Sequence, residues 1–76
     1  MLIELKEYKI KTSSPPKTIT HWFNPDFITD VVPVDIEAMK RNGWDLTGIE
    51  KLYKLNSNTG YDSFYIDHDS FLRAKK

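Results

Sequence analysis

Ile36-Glu37-Ala38-Met39-Lys40-Arg41-Asn42-Gly43-Trp44-Asp45-Leu46 decides the fold. Ile36 and Met39 lie three apart and share a helix face. Lys40 and Arg41 sit where the helix dipole favours cations, and Gly43 is suited to the left-handed conformation that closes a helix. Trp44 and Leu46 then alternate as in a strand. A short helix that stops on glycine and runs into a strand predicts an α+β domain. Pro33 is tolerated at a first helical position, so the helix is expected from about Pro33 to Asn42, with Val32, Ile36 and Met39 as its buried stripe.

On the N-terminal side, Leu2 to Lys11 reads as a strand. Ile3 and Leu5 hold one parity and Tyr8 and Ile10 the other, which predicts a bulge or sharp twist near Lys6-Glu7. Thr12-Ser13-Ser14-Pro15-Pro16-Lys17 is a loop, its two prolines unable to donate ladder hydrogen bonds. Thr18 to Phe23 is a second strand, rich in β-branched and aromatic residues. Ile19, His21 and Phe23 share one face, Thr20 and Trp22 the other. Asn24-Pro25-Asp26 is a turn or the cap of a brief helix. Phe27 to Val32 has strand composition, with strand and loop both open. On the C-terminal side, Trp44 to Leu55 reads as a third strand interrupted by a bulge at Thr47-Gly48. Asn56-Ser57-Asn58-Thr59-Gly60 is a hairpin loop, and Tyr61 to Asp67 returns as a strand. Asp69 or Ser70 is expected to cap a last helical turn carrying Phe71 and Leu72.

Seventy-six residues suit a single compact domain over 1–76. So small a domain needs a core dense in large side chains, and aromatics make up 13% of it. The expected architecture is α+β: a small twisted antiparallel sheet of three to five strands with one helix packed on one face. Ile36, Met39, Trp44, Leu46, Leu52, Phe64 and Ile66 are its expected core.

Acids and bases balance at eleven each. That argues against bulk duplex DNA or an anionic membrane as partner, and against a wholesale acidic mimic of DNA. The chain has no cysteine, which removes disulfides, thiolate metal sites and a cysteine nucleophile, and favours a reducing cytoplasm. Met1 to Glu7 mixes charge with apolar residues and does not read as a signal peptide. No stretch approaches the roughly 20 apolar residues of a membrane span.

Glu7-Tyr8-Lys9-Ile10 together with Asn42-Gly43-Trp44-Asp45-Leu46 resembles short bacterial domains of unknown function. In those, a strand containing Tyr-Lys precedes a helix ending in Gly-Trp-Glu-Leu. The resemblance covers about a third of the chain, and Pro15 to Val34 departs from it. It implies an α+β domain and no activity. Phe23-Asn24-Pro25-Asp26-Phe27-Ile28 is more faintly similar to small all-β flagellar-type proteins. The compact, cysteine-free format is similar to that of bacteriophage accessory proteins.

Three constellations carry candidate chemistry. Asp67-His68-Asp69 is metal-like, but strand alternation would oppose His68 to the two carboxylates, and a zinc site needs three or four convergent ligands. A strand end with a helix cap explains the same residues. His21 lacks a placed nucleophile: Ser13, Ser14, Ser57, Ser63 and Ser70 have no nucleophile-elbow context, and the three glycines form no phosphate loop. No catalytic residue, metal site or cofactor is therefore expected. Trp22, Phe23, Tyr61, Phe64 and Tyr65, with Lys6, Lys9, Lys11, Lys17, Arg73, Lys75 and Lys76, suit a stacking platform for single-stranded nucleic acid, although the core competes for the same rings.

Asn24 to Glu37 holds Asp26, Asp30, Asp35 and Glu37 and no Lys or Arg. Aromatic anchors with a polar rim are the usual makeup of an interface. The expected function is a small non-enzymatic protein-binding module using Trp22, Asp26, Asp30, Asp35, Glu37, Tyr61 and Tyr65. Its expected setting is a phage or mobile-element accessory protein that modulates or inhibits a host protein complex. The alternatives are a single-stranded nucleic-acid binder and, behind it, a metal-dependent enzyme centred on His21 or His68.

Overall fold

The computed structural model describes residues 1–10, 15–59 and 63–75. Five strands form one antiparallel sheet: β1 (Ile3–Lys9), β2 (Lys17–Phe23), β3 (Ile28–Pro33), β4 (Tyr53–Ser57) and β5 (Phe64–Ile66), in the spatial order β2-β1-β5-β4-β3. Two short helices accompany it, α1 (Ile36–Arg41) and α2 (His68–Ala74). A 3-10 turn, Pro25–Phe27, joins β2 to β3. The α+β class follows from these elements.

The β1–β2 ladder runs without a break from Ile3 opposite Phe23 to Lys9 opposite Lys17. The bulge expected at Lys6-Glu7 is therefore absent. The parity of apolar residues changes because the sheet buries apolar side chains on both faces. Leu5, on one face, joins Phe23, Leu55, Ile66 and Ala74 of α2 in a first cluster. Tyr8 and Ile10, on the other, join Leu46, Ile49 and Leu52 in a second, against which Ile36 and Met39 of α1 pack.

A flat sheet of this order would hold its edge strands roughly 19 Å apart. Phe23 and Ile28, on those opposite edges, are joined by Asn24 and the 3-10 turn, which reach at most roughly 18 Å even fully extended. The sheet therefore curls at this end, and both residues pack into the first cluster.

α1 is shorter than expected. Asp35 accepts a hydrogen bond from the Ala38 N–H (3.1 Å) and caps the helix there. Pro33 instead ends β3 opposite Tyr53, and Val32 stands exposed in that strand rather than in a helical stripe. Gly43 closes α1 at φ +93°, as the sequence predicts. The strand expected from Trp44 to Leu55 begins only at Tyr53. Trp44 to Leu52 is irregular: Asp45 accepts from the Thr47 N–H, the Ile49 N–H bonds the Leu46 carbonyl, and Gly48 adopts φ +80°. Leu46, Ile49 and Leu52 recur every third residue, which serves a winding segment on one cluster and not a strand of period two.

Of the expected core, Leu46, Leu52 and Ile66 are buried, while Ile36, Met39, Trp44 and Phe64 pack partly buried around the clusters. Leu5, Ile10, Phe23, Ile49, Leu55 and Ala74 complete the buried apolar set among the described residues. Asp67, not Asp69 or Ser70, caps α2 by accepting from the Ser70 N–H (2.8 Å).

Burial, and after it the nearby Asp67 carboxylate, raises the Tyr8 hydroxyl above its ordinary value of 10.0. The folded chain holds this proton more tightly than the unfolded chain, so the contribution is fully present below pH 10 and is lost as pH rises through the folded value. Denaturant melts are expected to show stability falling above pH 10, and Tyr8→Phe should flatten part of that fall. An identical alkaline slope in the variant would assign the loss to other groups.

Candidate functional site

Alternation along the β1–β2 ladder sorts its side chains into two sets. Glu4, Lys6, Thr18, Thr20 and Trp22 project from one face, together with Leu2 just before β1. Trp22 is 64% exposed and Leu2 is 56% exposed, and they lie diagonally across the pair with Glu4 directly opposite Trp22. Here the sheet displays two large apolar side chains within a rim of mixed charge.

The other face carries a polar group beside the first cluster. The His21 Nε2 meets Glu7 Oε1 at 2.5 Å, and Lys9 Nζ lies 3.2 Å from Glu7 Oε2. The His21 ring stacks on Phe64 with centroids 5.2 Å apart. Glu7 is the least exposed of the three, and its carboxylate lies between the Lys9 ammonium and the His21 imidazole. These residues, with Phe23 and Ser63, line an open depression of about 480 Å³. Ser63 forms no described hydrogen bond to His21, and a nucleophile needs that contact with its base.

His68 lies in different surroundings. Its Nδ1 meets the Tyr53 hydroxyl at 2.9 Å, and Tyr53 stacks face to face on Phe71 at 4.1 Å. With Asp67 occupied as a cap, the Asp67-His68-Asp69 triplet is explained by the start of α2. Among the described residues, no three His, Asp or Glu side chains are grouped to hold a metal ion.

The four expected acids fall on three different elements. Asp26 is exposed in the 3-10 turn, a few residues beyond Trp22. Asp30 lies in β3 and accepts from Asn56 Nδ2 at 2.7 Å. Asp35 caps α1 and Glu37 occupies its first turn, where the dipole favours an acid. Both line a groove of about 510 Å³ between the start of α1 and residues 49–53, and Glu50, Lys40 and Lys51 line it with them. Tyr65 sits on β5, in the middle of the sheet, partly buried against the second cluster. Tyr61, Lys11 and Lys76 lie outside the described residues. Of the expected contact residues that are described, Trp22, Asp26, Asp30, Asp35 and Glu37 are exposed and Tyr65 is partly buried. The Glu7–His21 pair escaped sequence reasoning. The only signal for it is the ladder register, which places the two diagonally on one face.

No family model matches the chain, and neither a characterised protein nor a solved structure does so. No helix among the described residues is long and apolar enough to cross a membrane.

Proposed function

We propose that the chain is a small non-enzymatic protein-binding module whose contact surface is the Trp22 face of β1 and β2. The observation that carries this reading is Trp22 itself: a large ring left mostly in solvent by a domain short of apolar side chains to bury. Leu2 beside it and Glu4 and Lys6 around it supply an apolar centre with a polar rim. The rim is of mixed sign, whereas a single-strand binder sets its aromatic platform in a positive groove. The lack of cysteine favours a reducing, cytoplasmic setting for this activity.

Immobilised wild-type protein should retain a defined protein partner. Trp22→Ala should weaken that capture by about thirtyfold, the effect of losing a hot-spot aromatic. Its thermal melt should be nearly unchanged, because the ring is mostly solvated. Equal capture by both proteins would remove Trp22 as the anchor. A labelled single-stranded oligonucleotide that binds at low salt and is released as salt rises would replace this reading with the nucleic-acid one.

A further inference from the structure

The two edges of the sheet are built differently. β3 carries a register shift between Ile28 and Asp30 and ends in Pro33, and its Asp30 is tied to Asn56. Bulges, prolines and charges are the usual devices that stop an edge from adding another strand. β2 has none of them between Thr18 and Phe23, and its ladder is continuous.

The hydrogen bonds of β1 settle which way the β2 backbone faces. The Lys6 carbonyl accepts from the Asp67 N–H, the Lys6 N–H donates to Ser70 Oγ, and the Glu4 carbonyl accepts from Arg73 Nε. Glu4 and Lys6 therefore turn their backbone groups away from β2. Antiparallel pairs alternate between bonded and non-bonded residues, so the β2 residues opposite them, Trp22 and Thr20, turn theirs away from β1. Thr18, opposite Tyr8, follows the same parity. The outer edge of β2 thus offers the N–H and C=O groups of Thr18, Thr20 and Trp22. Among the described residues, β1 is the one strand that pairs with β2.

We propose that this edge pairs with β2 of a second copy of the chain, antiparallel about a two-fold axis at Thr20. The strand is complementary to itself in that register. Thr20 meets its own copy, Thr18 meets Trp22, Ile19 meets His21 and Lys17 meets Phe23. Thr–Thr and β-branched–aromatic pairs are favourable cross-strand neighbours. Every bonded pair then joins outward-facing residues, as antiparallel geometry requires. A register centred between two residues would set an outward-facing residue against an inward-facing one. Registers centred on Ile19 or His21 lose the Thr18–Trp22 pairs. The chain's zero formal net charge opposes no like-charged approach. Ile19, 40% exposed in one chain, gains a neighbour from its copy.

This association rests on the backbone edge and stands apart from the Trp22 reading. A monomer with Trp22-dependent capture, or a dimer without it, would separate the two. Sedimentation should show wild type moving toward twice the 8.9 kDa mass of one chain as concentration rises. Its melting temperature should rise with concentration too. Thr20→Pro removes an N–H that bonds nothing among the described residues, and proline is accepted on an edge strand whose N–H faces solvent. That variant should stay folded and sediment as one chain, with a concentration-independent melt.

Thr20→Lys sets like charges across the axis and should weaken association by about fivefold at low salt. Thr20→Glu should do the same, and an equimolar mixture of the two should regain the paired mass. A wild-type protein that stays monomeric up to about 1 mM overturns the proposal. So does a Thr20→Pro dimer, or a Lys/Glu mixture no tighter than its parts, since each places the contact elsewhere.

Discussion

Leu55→Ala is expected to remove about 2–5 kcal/mol of stability. Leu55 is fully buried and sits opposite Val31 on β3 and Phe64 on β5, so its side chain is walled by both neighbouring strands and the first cluster. Truncation leaves a cavity that a continuous ladder cannot collapse around, because moving one strand disturbs the pairing of the next. For a chain of this length total stability is roughly 4–11 kcal/mol, so the loss is a large share of it and the whole of it at the low end of that range. Urea melts should show a markedly lower midpoint with an unchanged slope if the variant still folds. Ile36→Ala should cost less, because Ile36 is only partly buried and lies at the margin of the second cluster. If Ile36→Ala proves the more damaging, the second cluster, not the first, anchors the fold.

That ranking inverts the order in which the sequence displays the elements. The run from Ile36 to Leu46 is conspicuous because helix period, basic last turn and glycine stop coincide. Yet α1 is six residues long and buries none of them completely. Leu5 and Leu55, both wholly buried, stand among charged and polar neighbours that read as ordinary strand alternation. Strand identity was legible for β1 and β2 because alternation is local. What alternation cannot convey is that both sheet faces are covered. A switch from Leu5 to Tyr8 then looks like a bulge when it marks two cores. The segment from Trp44 to Leu52 misleads for a related reason. Its apolar residues recur every third position, a spacing that belongs to neither regular element over so short a run. The candidate site divides the same way: alternation in Thr18 to Phe23 sets Trp22 on the face opposite Ile19, His21 and Phe23, while the Glu7–His21 contact depends on a register that the sequence does not state. The acids of the run Asn24 to Glu37 fall on a 3-10 turn, a strand and a helix start, an arrangement that their closeness in sequence does not convey.

Ser70→Ala should cost about 1–3 kcal/mol, a large effect for one hydroxyl. β1 needs partners along both edges, and β5 supplies them only from Glu7 onward, where Glu7 faces Ile66 and Tyr8 faces Tyr65. Toward its start, α2 takes over. The wholly buried Ser70 hydroxyl accepts from the Lys6 N–H at 2.7 Å, and Arg73 Nε reaches the Glu4 carbonyl at 2.7 Å. A helix laid along a strand in this way can satisfy its backbone only through side chains, because its own N–H and C=O groups point along its axis. Removing the hydroxyl strands the Lys6 N–H, and alanine offers nothing in return. Hydrogen exchange should report the loss locally: the Lys6 amide, protected in wild type, should exchange faster in Ser70→Ala by more than the drop in global stability accounts for. Arg73→Ala should cost under about 1 kcal/mol, since its contact is exposed and water can take its place. Should Ser70→Ala match wild type in both melt and exchange, α2 would be held by Phe71 and Ala74 packing alone. Its role as a substitute strand along β1 would then fall.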